Sequence, residues 1–321
     1  MMKPRTILGA LFGLFLCALL LSSCMTNAMT NRSHKPQGQF AEIDGVKVHY
    51  LDLKPQIDTG LTPIIMIHGA SANLLDMKLA LGDRLSKTRR VILVDRAGHG
   101  YSGRPRDGYL LTVQTKLING LIHELGIEKP IVLGQSFGGV TSLTYALQYP
   151  DDLSALVLIA PVSHEWPGDV DGYHAVSAHP VFGPVFRRTL IPLYAKLKGE
   201  AVIDGAFWPL MPPEDYYDKS GMALLFRPAE FKADSQDRLH LLEQIKQQQS
   251  RYSEIIVPTR IITGTHDTSV SPGLHSMALD REMPNAELLL LTGIGHPLHH
   301  VAQDEIEGEI AALDRILSLA P

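Results

Sequence analysis

Six short runs of apolar residues recur along the chain, and each run ends at a turn or a polar residue. The runs have the length of strands, and the segments between them have helical patterns. Strands that are apolar along their whole length must be covered on both faces, which is typical of a parallel sheet between layers of helices. The sequence therefore predicts an α/β protein with a mostly parallel central sheet flanked by helices. The runs are residues 64–67, 91–94, 131–133, 155–159, 255–263 and 287–291.

A different pattern precedes these runs. Residues 40–53 alternate apolar and polar side chains around Asp44-Gly45. An Asp-Gly pair between two alternating stretches is a strong signal for a β-hairpin, so two antiparallel strands are expected here.

The strand pattern stops after Pro161, in a long segment rich in proline and aromatic residues that includes Trp166 and Trp208. A structureless loop of this length inside a compact domain is improbable. We therefore expect a mainly helical cap inserted after the sixth strand and covering the strand ends. Its aromatic side chains indicate either an apolar pocket or the cap's own hydrophobic core. The predicted cap is residues 162–250, and the predicted core is residues 40–161 and 251–321.

The first 23 residues have the organisation of an export signal. Lys3 and Arg5 precede a stretch of 15 uncharged, mostly apolar residues, 7–21. A membrane-spanning helix needs about 20 such residues, whereas the hydrophobic region of a signal peptide is shorter. The sequence predicts a signal peptide over residues 1–23.

The end of this segment, Leu21-Ser22-Ser23-Cys24, resembles the lipobox of bacterial lipoproteins, in which small residues precede a cysteine that is acylated and becomes the mature N-terminus. Ser23 stands where Gly or Ala is commoner. The resemblance implies lipidation of Cys24 and an exported lipoprotein anchored in the cell envelope, facing the periplasm or the exterior. An ordinary secretory signal or an uncleaved anchor are the alternatives. Polar residues 24–39 would form a flexible tether.

Charge and cysteine content narrow the possible partners. The net charge of −5 gives no basic patch, so a nucleic-acid partner is not expected. Cleavage before Cys24 would remove Lys3 and Arg5 and leave the mature protein more negative. The lipid, and not electrostatic attraction, would then anchor the protein to the membrane. The only cysteines are Cys17 and Cys24, so the folded part is expected to lack disulfides.

The third loop to follow an apolar run carries the strongest functional motif. Gly134-Gln135-Ser136-Phe137-Gly138 fits the G-x-S-x-G nucleophile elbow, and it lies after a strand and before a helix, as the motif requires. A glycine-rich strand-to-helix turn without chemistry is the alternative. The context favours Ser136 as a nucleophile.

A serine nucleophile needs a base, and the base needs an orienting carboxylate. Asp267 lies in the loop after residues 255–263, and His296 follows the last apolar run in a Gly-x-Gly-His turn. The chain order Ser136, Asp267, His296 is the one expected of this architecture.

At this point the chain resembles an esterase-like serine hydrolase of the α/β-hydrolase fold, over about residues 40–319 apart from the insertion. The resemblance rests on four motifs in the expected order. They are His68-Gly69-Ala70-Ser71, residues 95–102 (DRAGHGYS), the elbow, and the Asp267/His296 pair.

The resemblance implies a role for each matching residue. Ser136 would attack the substrate carbonyl, His296 would take its proton and Asp267 would orient the imidazole. The backbone N–H groups of Phe137 and Ala70 would form the oxyanion hole, with Ser71 as a substitute for Ala70. No cofactor is implied.

Other titratable residues near these motifs have simpler interpretations. We expect His299 and His300 to be surface or helix-start residues and His266 to point away from the site. Asp95, His99 and His68 are expected to support the loops. A metal site is not expected, since no carboxylate has the H-E-x-x-H type of spacing from the grouped histidines.

A serine at the elbow argues against epoxide hydrolases and haloalkane dehalogenases, which carry an aspartate there. The predicted activity is hydrolysis of a small or medium carboxylic ester through an acyl-enzyme. A carbon–carbon bond hydrolase, a lactonase or a short-peptide amidase with the same triad are the alternatives, as is a catalytically idle binding protein of this fold. The predicted partners are a small-molecule substrate and, through the lipid, a membrane.

Overall fold

A computed structural model describes residues 4–57 and 59–319, and its centre is one eight-stranded sheet among these residues. The spatial strand order is β1-β2-β4-β3-β5-β6-β7-β8. The strands are β1 (Gln39–Ile43), β2 (Val46–Leu53), β3 (Ile64–Ile67), β4 (Val91–Val94), β5 (Ile131–Gln135), β6 (Ala155–Ile159), β7 (Thr259–Gly264) and β8 (Ala286–Leu291).

The sheet is mostly parallel, which confirms the predicted fold class. The hairpin β1–β2 turns at Asp44-Gly45, and β2 then pairs antiparallel with β4. The six strands β3 to β8 pair with one another in parallel. These six parallel strands correspond to the six apolar runs of the sequence.

One strand begins later than the sequence pattern suggested. Strand β7 starts at Thr259, whereas the apolar run starts at Ile255. A 3-10 helix, Gln249–Glu254, leads into this segment, and Pro258 has no N–H to donate to a sheet. Ile256 is largely exposed, so the first part of the run lies outside the sheet.

Helices cover both faces of the sheet. Ile65 and Ile67 of β3 pack in one core cluster with helices that follow β4, β5 and β7. Ile64 and Met66 point to the other face, in a second cluster with helices that follow β3 and β8. The helices are α1 (Pro4–Ser33), α2 (Leu74–Met77), α3 (Asp83–Leu85), α4 (Leu111–Glu124), α5 (Phe137–Gln148), α6 (Gly172–Ala178), α7 (Gly183–Phe207), α8 (Tyr216–Lys219), α9 (Pro228–Gln248), α10 (Ser276–Glu282) and α11 (Gln303–Leu319).

Helices α6 to α9 lie between β6 and β7, at the position predicted for the cap. Helices α6, α7 and α9 pack on one another. Ile191, Leu225 and Phe231 form a small hydrophobic cluster within this segment. The segment therefore has a core of its own beside the sheet.

The N-terminal segment is one long helix, α1, which packs against α7. It continues past Cys24, so residues 24–33 are helical here, where the sequence predicted a flexible tether. Thr30 is buried, and Asn31 accepts a hydrogen bond from Arg227 of the cap (3.2 Å). Lys3 of the predicted signal peptide and the last two residues of the predicted core lie outside the described residues. Signal cleavage and lipidation stay predictions.

None of the described helices combines the length and the apolar character that crossing a membrane requires.

Candidate active site

Ser136 is held in a strained turn between β5 and α5. Its φ is 53° and its ψ is −113°, in a region that residues with a side chain rarely occupy. The Ser136 N–H donates to the carbonyl of Ile159 on β6 (2.9 Å), and its own carbonyl accepts from Gly139 N–H (2.9 Å). The backbone on both sides thus fixes the serine at the carboxyl end of the central strand.

The glycines on either side of Ser136 are required by close backbone approaches. A Cβ on Gly134 would lie 2.2 Å from the carbonyl oxygen of Gly138, and a Cβ on Gly138 would lie 2.1 Å from the carbonyl oxygen of Ile67. Real Cβ atoms do not come this close to another heavy atom. Both positions of the motif are therefore restricted to glycine.

Asp267 and His296 meet at the same edge of the sheet, after β7 and β8. The Nδ1 atom of His296 lies 2.7 Å from Oδ2 of Asp267, which is buried. The other oxygen, Oδ1, accepts from the N–H groups of Ser269 and Val270, both at 2.8 Å. Because the carboxylate is fixed on both oxygens, it holds a proton on Nδ1 of His296 and leaves Nε2 as the basic nitrogen.

The basic nitrogen of His296 lies beside the elbow. Its Nε2 atom is 3.3 Å from the amide Nε2 of Gln135, the residue before Ser136. Gln135, Ser136 and His296 all line one cavity. The structure therefore brings the three predicted catalytic residues to one site, with Gln135 as a neighbour of the base that sequence reasoning did not single out.

The two expected oxyanion donors also lie at this cavity. Ala70 follows β3, and Phe137 begins α5, where the first N–H groups have no partner within the helix. Ser71 differs, since its N–H donates to the carboxylate of Asp234 on α9 at 2.7 Å. With that N–H engaged, Ala70 and Phe137 are the better pair.

The cap helix α9 holds in place the loop after β3, residues 68–71, which carries the expected donor Ala70 (the oxyanion loop). Besides its bond to the Ser71 N–H, Asp234 forms an ion pair with Arg238 (3.0 Å), and Arg238 also donates to the hydroxyl of Ser71 (2.9 Å). Burial alone would raise the pKa of Asp234, but Arg238 and nearby imidazoles hold it below its usual range. The anchor is therefore an ionised carboxylate that the sequence did not reveal.

His68, Asp95 and His99 support this loop, as expected. His68 Nε2 accepts from the N–H of Arg96 (3.0 Å), and His99 Nε2 lies 3.0 Å from the buried carboxylate of Asp237 on α9. Burial lowers the pKa of both histidines. Asp95 binds the N–H of Leu74 at the start of α2 (2.8 Å). None of the three is among the described residues that line the cavity.

Two of the three other histidines near Asp267 and His296 are placed differently from the expectation. His266 is exposed and bonds to Thr265, but His299 and His300 are buried rather than at the surface. Their Nε2 atoms lie 3.0 and 2.9 Å from the two oxygens of Asp76 on α2. The sequence gave no sign of this partner, because 223 residues separate Asp76 from His299.

Asp76, His299 and His300 have the donor types of a metal site, with ligand atoms within 4.8 Å of one another. A histidine that binds metal through Nε2 carries its proton on Nδ1 and donates it to an acceptor. Nδ1 of His299 is buried and has no hydrogen-bond partner among the described residues. The donor set therefore fits a hydrogen-bonded cluster, with the proton of His299 on Nε2, better than a metal site.

The cavity has a volume of about 850 Å³, in the range of small-molecule sites. The sheet loops supply the catalytic polar groups, and the cap supplies most of the apolar wall together with further polar groups such as His174, Asp234 and Arg238. Phe231 both lines the cavity and belongs to the cap's own cluster. The aromatic side chains of the cap therefore contribute to the pocket and also to the cap's hydrophobic core. The exposed Trp208 is not among the lining residues. The apolar cap residues at the cavity are Trp166, Tyr173, Val202, Phe207, Leu225 and Phe231.

Comparison with known proteins places the chain in one family. A family model described as the alpha/beta hydrolase fold matches residues 62–303. The chain is 27% identical over 221 residues to a protein named monoacylglycerol lipase abhd6-A from Xenopus laevis, a match that covers 64% of the chain and 61% of that protein. It is 36% identical over 107 residues to a 2-hydroxymuconate semialdehyde hydrolase from Pseudomonas putida, covering 33% of the chain and 38% of that protein. The chain thus spans less than two thirds of these relatives.

Solved structures show the same architecture. An alpha/beta hydrolase fold protein from Burkholderia ambifaria superposes with a TM-score of 0.70 at 22% identity, over 85% of this chain and 96% of that one. At this identity the likeness concerns the fold.

We expect Asp267→Asn to lower the turnover of a chromogenic ester by about 10⁴-fold, because an amide favours the wrong tautomer of the base. Asp304→Asn, an exposed carboxylate paired with Arg84 on α3, is the matched control and should leave turnover unchanged. Steady-state kinetics of both variants measure this. A loss of less than tenfold in Asp267→Asn would mean that another group orients His296.

Proposed function

Because the chain belongs to the α/β-hydrolase fold family, we propose that it is a serine hydrolase that cleaves a small or medium carboxylic ester through an acyl-enzyme. One observation carries the proposal. His296, which is hydrogen-bonded to Asp267, and the strained Ser136 line the same cavity. An idle binding protein would have no need for this combination of strain, buried carboxylate and base.

The proposed reaction begins with attack of Ser136 Oγ on the substrate carbonyl. His296 Nε2 takes the serine proton, and Asp267 stabilises the imidazolium that results. The negative oxygen of the tetrahedral intermediate would bind the N–H groups of Ala70 and Phe137, and losing one such donor costs about 2.7–4 kcal/mol. His296 then gives its proton to the leaving alcohol. In the second half, water activated by His296 hydrolyses the acyl-enzyme.

Gln135 also contacts the base. Its amide Nε2 lies 3.3 Å from Nε2 of His296. Substrate binding would replace this contact with one to Ser136 Oγ, since catalytic hydrogen bonds often tighten only in the Michaelis complex.

The cavity supports an ester with a medium-sized apolar group. Its cap side presents aromatic and aliphatic side chains, and a cavity of about 850 Å³ has room for a substrate of this size. The longer of the two sequence matches is to a protein named as a monoacylglycerol lipase, which also supports ester hydrolysis. The shorter match, to a semialdehyde hydrolase, supports carbon–carbon bond cleavage as the second candidate.

We also propose that the protein is an exported lipoprotein whose cap lies near the membrane. Cys24 is exposed on α1, which packs against α7. On α7, Leu190, Leu193 and Leu197 are exposed at a spacing that places them on one helix face. Residues 183–199 carry three exposed basic residues, Arg188, Lys196 and Lys198, and no acidic one, which suits an anionic lipid surface.

Ser136→Ala should abolish labelling of the protein by a fluorophosphonate probe, because the probe reacts with an activated serine hydroxyl. Ser142→Ala, on the same helix and beyond the turn, is the control and should label like the wild type. Gel fluorescence after a time course measures both. Labelling that persists in Ser136→Ala would remove this residue from the mechanism.

A series of p-nitrophenyl esters should show kcat/KM rising with acyl length until the apolar cavity is filled, and then falling. The measurement is steady-state hydrolysis beside a vinylogous diketone, a lactone and an aminoacyl anilide. Faster turnover of the diketone than of every ester would favour carbon–carbon hydrolysis instead.

Cys24→Ser should eliminate incorporation of labelled palmitate when the full chain is expressed in bacteria, because the acyl acceptor is lost. Cys17→Ser, the same change within the predicted hydrophobic region, should retain the label. Metabolic labelling and membrane fractionation test this. Continued lipid labelling of Cys24→Ser would show that the lipobox interpretation is wrong.

A further inference from the structure

A buried carboxylate outside the triad joins three functional parts of the molecule. Asp76 lies on α2, which begins shortly after the oxyanion loop. Its Oδ1 atom lies 2.9 Å from His300 Nε2 and accepts from the hydroxyl of Tyr216 on cap helix α8 (2.8 Å). Its Oδ2 atom lies 3.0 Å from His299 Nε2. All four side chains are buried.

We propose that Asp76 is a positioning residue, which fixes the segment carrying His296 against α2 and fastens the cap to both. The inference rests on the proposed hydrolase function, since it concerns the base of that reaction.

The backbone makes the segment from His296 to His300 a stiff unit. The N–H of Leu298 donates to the carbonyl of His296 (2.9 Å), and the N–H of His300 donates to the carbonyl of Pro297 (3.0 Å). His299 and His300 therefore cannot shift without moving His296. By binding both imidazoles, Asp76 sets where the base stands.

The cap reaches α2 through a second, separate contact. Asn73, which caps α2 by accepting from the N–H of Leu75 (2.9 Å), donates through Nδ2 to the carbonyls of Ser220 and Gly221 at 3.1 and 3.2 Å. These two residues directly follow α8, the helix of Tyr216. One cap segment, residues 216–221, thus binds α2 both at Asp76 and at its capping residue Asn73.

The ionisation of the cluster is consistent with this role. Burial alone would raise the pKa of Asp76, but His300 and His299 hold it well below its usual range. Burial lowers the pKa of His299 to about 4, and burial beside Asp76 raises the pKa of Tyr216 well above its usual value. Asp76 is therefore a carboxylate, while His299 and Tyr216 are neutral donors to it.

The position of the cluster also connects it to substrate. Asp76, Tyr216 and His299 line the same cavity as Ser136 and His296. A change in the cap that displaced Tyr216 would therefore alter the wall of the cavity beside the triad.

The first experiment replaces Asp76 with Asn and compares the full chain with the wild type. We expect kcat on a short p-nitrophenyl ester to fall about 10²-fold with KM changed less than threefold, because a misplaced base costs rate rather than binding. Asp52→Asn is the matched control, as Asp52 binds Arg90 at 2.9 and 3.0 Å and does not line the cavity. It should keep the wild-type kcat.

A second pair of variants keeps the proposal testable if Asp76→Asn fails to fold. His299→Gln retains an N–H donor at the place of Nε2 and should keep kcat within about threefold, whereas His299→Leu should lower it at least tenfold. Tyr216→Phe should raise KM for the longest ester about tenfold with kcat nearly unchanged. Tyr145→Phe, which loses a buried hydroxyl bound to Asn119 (2.9 Å), controls for Tyr216→Phe and should change neither.

A spectroscopic reading separates this inference from the hydrolase proposal. The proton shared by His296 and Asp267 should give a low-field NMR resonance in the wild type and in Asp52→Asn, and it should broaden or shift in Asp76→Asn. This change without any esterase activity would uphold the positioning role and refute the proposed function. Two results would overturn the inference: an unchanged resonance and kcat in Asp76→Asn, or stoichiometric zinc in the wild type that Asp76→Asn loses.

Discussion

The site depends on how closely α5 approaches the neighbouring strands. A Cβ on Gly138 would collide with the carbonyl of Ile67 at the end of β3, so the backbones pass nearer to each other than any other residue would permit. This approach places the start of α5, where the N–H of Phe137 has no partner within the helix, beside the loop that follows β3. It also holds Ser136 in a conformation that an unsupported turn would leave. Strain at the nucleophile and donors for an oxyanion thus arise from a single packing constraint.

The cap is tied to this arrangement by buried carboxylates as well as by apolar contacts. Asp234 of α9 holds Ser71, and Asp237 of the same helix binds Arg96 (2.7 Å) and His99. Arg96 in turn donates to the carbonyl of Gly69 (3.2 Å). Buried ion pairs contribute little net stability but are costly to break, which suits contacts that must define one geometry. The oxyanion loop is therefore fixed by the cap and not by the sheet alone.

Much of the fold follows from local patterns in the sequence. The six apolar runs become the six parallel strands, and Asp44-Gly45 becomes the turn of the hairpin, because period and turn chemistry act over a few residues. Ser136 and His296 were recognisable for the same reason, since each stands in a glycine-containing turn after such a run. Strand β7 shows the limit of this approach, as an apolar run continues across a proline that the sheet cannot accept.

The contacts that complete the site are long-range, and no local pattern announces them. Asp76 is 140 residues from Tyr216, and Asp234 is 163 residues from Ser71, so neither carboxylate has a partner at a recognisable spacing. The grouped histidines at 299 and 300 were visible, but their burial was not, because a histidine pair after a turn fits the surface equally well until its partner is known. Gln135 occupies the variable position of its motif, where the sequence pattern carries no information.

Two carboxylates act on one short segment of the chain. Asp267 binds the imidazole of His296 at the start of the segment, and Asp76 binds those of His299 and His300 at its end. A base held only by Asp267 could still swing with its loop, because one hydrogen bond leaves rotation about its axis free. Anchoring both ends removes that freedom, and it does so with one carboxylate from the loop after β7 and one from α2. The position of His296 thus depends on contacts along the whole edge of the sheet, including those of α2, to which the cap is bound.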